Sequence, residues 1–470
     1  MKNLGSVAVK SLHWIAGLMG LCAASGAVAQ SPAAAPASVE AARFVQAGRL
    51  LADPATGRVE QNKTLVIRDG RVAEIRDGFV GEGEGSVVDL RNAFVLPGLI
   101  DSHVHLTGEQ NPNSRLEEVT QSPADQAMVG AGFARKTLMA GFTTVADLGA
   151  ENSAIFALRE AVKRGDVVGP RIIAAGSAVA VHGGHGDANG FRADILHLLS
   201  PESVCSGADD CMRAVRLQVR SGADIIKITA TGGVLSNTAA GLAQQFSDDE
   251  LAAIIGAAHR MGRQVTAHAH GVDGINAFLK AGGDSVEHGT YLDAESIRLF
   301  KRPGTYLVPT LLAGDFVARI AASPGNFFTP AQTVKALEIG PKMLDMARRA
   351  HDGGVRIAFG TDTGVSAHGD NAQEFALLVK AGLSPLEAIQ AATVAAAEHL
   401  RIGDQAGKII VGMPADIVAV SGDPLTDVRV LEKMRRVHHD GPQRVNGYPL
   451  ALRHMIAACL AHRIGRIAQR

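Results

Sequence analysis

Short apolar runs alternate with amphipathic stretches through most of the chain. The segments between the runs, such as ADQAMVGAGFARKTLMA and DDELAAIIGAAHRMG, have the apolar spacing of helices. Ser247 and Glu250 fit a capping box at a helix start, and Gly262 and Gly282 fit helix ends. The apolar runs are GLIDSHVHL, FTTVADLG, RIIAAGSAVA, DIIKITA, QVTAHAH, SVEHG, YLVPTL and RIAFGTDTG. Strands that alternate with crossover helices predict an α/β fold, a (β/α)₈ TIM barrel, with a doubly wound open sheet as the alternative.

Two segments near the ends of the chain have a different pattern, in which β-like runs are separated by turn residues. KTLVIRDGRVAEIRDG has a hairpin turn at Asp69-Gly70, and AGKIIVGMPADIVAVSGDPL repeats the pattern near the other end. We therefore predict a small β-sandwich domain built from residues 44–97 and 406–440, on either side of a barrel spanning residues 98–405.

The first residues have the pattern of a secretory signal. Lys2 and Lys10 precede an apolar segment that ends in AVA, so residues 1–29 are predicted to be removed before Gln30. Residues 30–43 have the composition of a linker. The protein is then expected to be exported, periplasmic or secreted, and no later apolar run is long enough to span a bilayer. An uncleaved membrane anchor is the alternative.

Composition and charge narrow the function. The 470 residues are 46% hydrophobic and carry a net charge of −1, which argues against nucleic acid as a partner. Cys205 and Cys211 flank a short loop and are either a small disulfide or two free thiols. Residues 441–470 form a basic extension, either an amphipathic helix at a subunit or membrane surface or a loosely packed tail.

Polar side chains stand at the carboxyl ends of the apolar runs. In a barrel these ends meet at one mouth, where active sites lie. Residues two apart on a strand point to the same side, so His103 and His105 project together, and so do His268 and His270. Such imidazole pairs are either hydrogen-bonded core residues or metal ligands. The full set is His103, His105, Lys227, His268, His270, His288 and Asp362.

Lys227 lies inside the apolar strand DIIKITA. Either the Lys227 side chain extends so that its ammonium reaches solvent or an acidic side chain, or the amine is buried. Burial disfavours the ammonium and lowers its pKa, which gives a nucleophilic amine. Such an amine can react with CO₂, and the resulting carbamate can bridge two cations.

These residues resemble the binuclear subtype of the amidohydrolase superfamily. PGLIDSHVHL, VTAHAHG, DSVEHG and FGTDTG look like its sequence blocks, over roughly residues 45–437. GGHGD, TGGV and TAHAHG look most like secreted prolidase-like dipeptidases that act on Xaa-Pro and Xaa-Arg, and like amidases that hydrolyse ochratoxin. The resemblance implies an enzyme that hydrolyses an amide bond of a dipeptide or N-acyl amino acid by attack of a hydroxide that bridges two metals.

The resemblance also implies a ligand set. His103, His105 and Asp362 would hold one ion, His268 and His288 the other, and carboxylated Lys227 would bridge them. Nitrogen and oxygen ligands suit Zn²⁺, with Mn²⁺ or Co²⁺ as substitutes. Asp362 would act as the general base and then the general acid. A homo-oligomer is expected, for which the resemblance allows an octamer.

Four further residues receive roles around this centre. His270 is expected to contact the substrate, with a structural histidine as the alternative. His182 and His185 lie in the glycine-rich segment VHGGHGD and are candidate substrate contacts, because glycines allow a close approach. Asp147 is expected to support the site by hydrogen bonds.

The alternative enzyme is a mononuclear deaminase or imidazolonepropionase that acts on a cyclic amide or amidine. Such enzymes lack the lysine and usually carry a glutamate after the fifth strand.

Overall fold

The computed structural model describes residues 42–237 and 241–439. The predicted signal peptide (1–29), nearly all of the predicted linker (30–43) and the basic extension (441–470) lie outside these residues. The strands are β1 (Arg43–Leu50), β2 (Glu60–Arg68), β3 (Arg71–Asp77), β4 (Ser86–Pro97), β5 (Leu99–Val104), β6 (Phe142–Asp147), β7 (Arg171–Ala174), β8 (Ala180–Val181), β9 (Val204–Cys205), β10 (Ile226–Thr229), β11 (Val265–Ala269), β12 (Ser285–His288), β13 (Tyr306–Val308), β14 (Ile417–Val420) and β15 (Met434–His438).

Helices follow most of the barrel strands. They are α1 (Ser114–Thr120), α2 (Pro123–Met139), α3 (Asn152–Arg164), α4 (Ala193–Leu199), α5 (Ala208–Ser221), α6 (Asp248–Arg260), α7 (Val272–Ala281), α8 (Ala294–Leu299), α9 (Leu311–Ala322), α10 (Pro330–Asp352), α11 (Gln373–Lys380), α12 (Pro385–Gln390) and α13 (Ala396–His399). Ser247 and Glu250 form the predicted capping box of α6, and Gly282 ends α7 in the left-handed conformation. None of the described helices is long and apolar enough to cross a membrane.

The two ends of the described chain build one mixed sheet. Its strand order is β15-β14-β4-β1-β2-β3, so strands from the end of the described chain pair with strands from its start. The hairpin between β2 and β3 turns at Asp69 and Gly70. Both residues have positive φ, as the two central residues of a type I′ turn require. The small β-domain from both ends of the chain is therefore present, while the domain boundaries stay a prediction.

Parallel strands close into the predicted barrel. β5-β6-β7 and β10-β11-β12-β13 form two parallel sheets. Val179, beyond β7, bonds to β10 through Lys227 O, and Leu307 of β13 pairs with Ile357. The segment from Ile357 to Thr363 is the eighth member, because it returns to β5 through bonds such as Asp362 N to His103 O, 2.7 Å. This closure excludes the open sheet.

Candidate metal centre

The carboxyl ends of β5 and of the eighth barrel segment bring together a first cluster, formed by His103, His105 and Asp362. Asp362 Oδ1 lies 3.3 Å from His103 Nε2 and 3.0 Å from His105 Nε2. His103 and Asp362 are buried, and His105 is partly exposed toward the mouth. The three side chains, spread over 260 residues of sequence, therefore aim at one point.

The ends of β11 and β12 form a second cluster, made of His268, His270 and His288. The His288 ring centroid lies 4.5 Å from that of His268 and 4.9 Å from that of His270. All three rings are buried, and one ligand nitrogen from each lies within 4.8 Å of the others. His270 thus lies in one cluster with the two predicted ligands.

Lys227 of β10 lies beside the first cluster. Its side chain is 5% exposed, and Nζ lies 3.5 Å from His103 Nε2. The His103 ring is also 5.4 Å from the His288 ring, so the two clusters adjoin. The structure therefore places all six predicted ligands at one end of the barrel.

The backbone at two of these residues is unusual. His288 and Asp362 have φ values of 71° and 57°, in the left-handed region that L-residues seldom adopt. Thr310, which contacts His288, has φ 49°. Such conformations persist where the surrounding structure fixes them, and here they turn side chains at strand ends into the mouth.

Hydrogen bonds on the outer ring nitrogens fix several tautomers. Since the carbonyl of Gly149 only accepts, His105 Nδ1 must donate to it, at 2.7 Å. The Thr310 hydroxyl donates to Pro309 O and so accepts from His288 Nδ1 at 2.7 Å. His270 Nδ1 likewise lies 2.8 Å from the Thr290 hydroxyl. When His105 and His288 are neutral, their Nε2 lone pairs therefore face the cluster.

His103 has a charged outer partner that we did not anticipate. Its Nδ1 lies 2.8 Å from Oε2 of Glu287, a fully buried residue on β12 that also accepts from the Thr266 hydroxyl. A carboxylate on the outer nitrogen of a metal-binding histidine fixes the ring and raises its basicity. The signal in the sequence was the acid directly before His288 in SVEHG.

Burial governs the electrostatics of the centre. Burial holds the pKa of His103, His268 and His288 well below the usual histidine range and also lowers the pKa of Lys227. Burial likewise acts to lower the pKa of His105, but the adjoining Asp362 carboxylate outweighs it and the net shift is upward. The rings of the second cluster are thus neutral near pH 7, the form that binds metal.

The donor set fits divalent cations. Asp362 Oδ1 is buried and lies 3.0 Å from His105 Nε2. These two atoms attract each other only when a cation lies between them, either the proton of a charged His105, which the upward pKa shift favours, or a metal ion. His268 Nε2 lies 3.3 Å from Gly232 O, which leaves Nδ1 as its ligand atom. Neutral imidazoles and a carboxylate are ligands that Zn²⁺ accepts.

The two candidate substrate histidines of the glycine-rich loop separate. The His185 ring lies 4.2 Å from that of His268, and its Nδ1 is 2.7 Å from the Ser236 hydroxyl. His182 instead bonds to Ser206, at 2.8 Å, in a loop that the Cys205–Cys211 disulfide closes. The structure thus brings His185 to the second cluster, whereas His182 contacts the neighbouring disulfide loop, so a substrate role for His182 stays a prediction.

Asp147 supports the first cluster as expected. Its carboxylate accepts from the backbone N–H of Leu106 at 2.6 Å and of Gly149 at 3.2 Å. Gly149 in turn accepts from His105. Asp147 therefore holds the loop that orients His105 and does not itself reach the cluster.

Comparison with known proteins agrees with this geometry. The model of the Amidohydrolase family matches residues 94–439, which is most of the chain. The chain belongs to the amidohydrolase family. It is therefore a hydrolase, and the fold and the resemblance predicted from the sequence are confirmed.

Individual relatives narrow the comparison. The ochratoxinase of Aspergillus niger is 33% identical over 423 residues, which is 84% of each chain. A Xaa-Pro dipeptidase crystallised with methionine in its active site is 39% identical, with a TM-score of 0.81 over 85% of this chain and 98% of the other. A prolidase in complex with N-methylphosphonate-L-proline is 31% identical, with a TM-score of 0.76 over the same shares. This amidohydrolase is thus similar to ochratoxinase and to prolidases and carries two histidine-rich candidate metal sites.

Proposed function

We propose that this amidohydrolase is an exported, binuclear metal enzyme that hydrolyses the amide bond of a dipeptide or of an N-acyl amino acid. The observation that carries the proposal is the meeting of two ligand clusters at one barrel mouth, with a buried lysine beside them. Similarity to ochratoxinase and to Xaa-Pro dipeptidase supports this substrate class, in which a carboxylate lies near the scissile amide.

The residues divide between the two ions. His103, His105 and Asp362 would hold the first ion and His268 and His288 the second, while Lys227, carboxylated, would bridge them. When bound, two such cations supply a hydroxide nucleophile at neutral pH and polarise the scissile carbonyl. Zn²⁺ suits these ligands, and Mn²⁺ or Co²⁺ are substitutes.

The chain's own groups manage protons and substrate. Asp362 is the carboxylate that takes the proton from the nucleophile and passes it to the leaving amine, since it lies within the first cluster. His270, a member of the second cluster, and His185, whose ring lies beside that of His268, would hold the carbonyl or carboxylate of the substrate. His270 is near enough to serve as a third ligand of the second ion, so its assignment to substrate needs its own test.

Export completes the proposal. It is supported by the signal-like sequence of residues 1–29 and by the Cys205–Cys211 disulfide, which is typical of oxidising compartments.

The experiment combines metal analysis with a substrate screen. The purified protein, assayed for metal by mass spectrometry, should contain about two ions per chain, whereas the mononuclear deaminase alternative predicts one. It should cleave members of a library of Xaa-Pro, Xaa-Arg and other dipeptides and N-acyl amino acids, including ochratoxin A. Turnover of cyclic amides or amidines alone would overturn the proposal.

Lys227 gives the sharpest variant. Lys227→Ala should lose most activity, and a short carboxylic acid should restore part of it by standing in for the carbamate. Lys380→Ala, a change at an exposed lysine on α11, is the matched control and should keep full activity. If Lys227→Ala keeps two ions and full kcat, the bridging role is wrong.

A further inference from the structure

The start of α10 holds the loop that follows β10. Lys335 is only 8% exposed, and its Nζ donates to Gly233 O at 2.7 Å and to Ser236 O at 2.8 Å. Gln332, one turn earlier on the helix, donates to Leu235 O at 2.5 Å. A buried ammonium is costly unless its protons are bonded, so Lys335 and this loop fix each other.

Gly233 and Ser236, which accept from Lys335, also contact the imidazole of His185. Ser236 bonds to His185 Nδ1 through its hydroxyl, while its carbonyl accepts from Lys335. A Cβ on Gly233 would lie 2.4 Å from His185 Cε1, so the imidazole rests directly on the glycine backbone. The bonds from Lys335 to Gly233 and Ser236 therefore fix two residues that contact the His185 ring.

The main chain of His185 is also held by hydrogen bonds. Its backbone N–H donates to Gln245 Oε1 at 2.9 Å, and its carbonyl accepts from the Thr229 hydroxyl. The main chain of His185 is thus anchored on Thr229 of β10 and on Gln245, while Ser236 and Gly233 set the direction of the ring. A shift of residues 233–236 would turn the ring and leave the bonds to Gln245 and Thr229 in place.

We propose that Lys335 is a positioning residue for substrate binding, which acts through Gly233 and Ser236 on the orientation of His185. The role of His185 as a substrate contact rests on the proposed function. Lys335 lies outside the set of metal ligands, so its loss should change substrate affinity and leave the metal content unchanged.

The first test is a split between KM and kcat. Lys335→Met keeps the length of the side chain and removes its donors. KM should rise about tenfold, the order expected when one hydrogen bond to the substrate is misplaced, with kcat within about twofold and two ions retained. Lys335→Arg should recover part of the loss. Lys380→Met is the control and should behave as wild type. A fall in kcat with lost metal would overturn the proposal.

A double-mutant cycle tests the route through His185. If Lys335 acts through this ring, Lys335→Met should raise KM no further in the His185→Ala background. Additive effects would show that Lys335 acts elsewhere. Should Lys335→Met fail to fold, Ser236→Ala removes the bond to the ring alone and should reproduce the rise in KM; an unchanged KM would contradict the proposal.

Hydrogen exchange gives a readout that needs no substrate. In Lys335→Met, amides of residues 182–187 and 231–237 should exchange faster, while those of β5 and β12 should not change. If the wild-type protein hydrolyses no amide substrate but this exchange pattern appears, the proposed function is wrong and the coupling of Lys335 to His185 is still supported. An unchanged exchange pattern would remove the coupling itself.

Discussion

The two clusters differ in charge, although both are built from strand ends of the same barrel. The first cluster contains the Asp362 carboxylate within 3.3 Å of both of its histidines. The second consists of three imidazoles that burial keeps neutral. The first therefore offers a cation a full negative charge, and the second offers only lone pairs.

The outer partners repeat this difference. His103 bonds to the Glu287 carboxylate, whereas His270 and His288 bond to the hydroxyls of Thr290 and Thr310. A carboxylate makes an imidazole a stronger donor to metal than a hydroxyl does. The comparison indicates that charged groups can give two adjacent sites of one fold different affinities for metal ions. We expect the first cluster to bind its ion more tightly.

Removal of metal should have the largest effect. Exhaustive chelation should abolish activity, and Zn²⁺, Co²⁺ or Mn²⁺ should restore it, because the proposed chemistry depends on the ions. With graded chelator the two ions should leave in separate steps, the second cluster first. His268→Ala should lack the step that corresponds to loss of the ion from the second cluster. Simultaneous loss of both ions would contradict the graded affinities, and activity in verified metal-free protein would contradict a metallohydrolase.

Asp362 combines a ligand and a base in the first cluster. Asp362→Asn keeps the size of the side chain but cannot accept a proton, so kcat should fall by ~10²–10⁴, the range for a lost acid–base group. Steady-state kinetics with metal analysis would measure this. Asp370→Asn, at an exposed aspartate eight residues later, is the matched control. A kcat near the wild-type value would remove Asp362 from proton transfer.

The second cluster should divide into metal and substrate ligands. His268→Ala should lose one ion. His270→Ala should keep two ions and lower kcat/KM by ~30-fold on substrates with a free carboxylate, as expected for one hydrogen bond to a charged group. Metal analysis of both variants decides the division. If His270→Ala loses an ion and His268→Ala does not, the two roles are reversed.

Much of this centre could be predicted from the sequence because strands have a strict alternation. His103 and His105 share a face for that reason, and barrel topology brings their strand end to those that carry Lys227 and His268. The capping box of α6 and the turn at Asp69-Gly70 could also be predicted, since both depend on neighbouring residues.

The contacts that could not be predicted from the sequence depend on departures from regular strand geometry. Glu287 and His288 are adjacent, so alternation places them on opposite faces, yet both reach the centre because the chain turns at His288 with φ 71°. The contact of Lys335 with Gly233 and Ser236 joins residues about a hundred positions apart through loops. Periodicity contains no information on such contacts.

The last prediction tests the outer partners of the two clusters directly. Glu287→Gln keeps the shape of the side chain but replaces the carboxylate beside His103, so the affinity of the first cluster for its ion should fall by ~10–100-fold. Thr310→Val removes the neutral hydroxyl beside His288 and should weaken the second cluster by only about fivefold, the value of an ordinary hydrogen bond. Competition with a chromogenic chelator would measure both affinities.

The relative size of these two losses is the informative quantity. Glu287→Gln should bring the two chelation steps closer together, because it weakens the tighter site, whereas Thr310→Val should move them further apart. Thr266→Val, which removes the hydroxyl bonded to Glu287 and leaves the carboxylate on His103, is the control and should keep the wild-type separation. If Glu287→Gln leaves the separation unchanged, the grading of the two sites comes from Asp362 alone, and the outer carboxylate serves only to orient the ring.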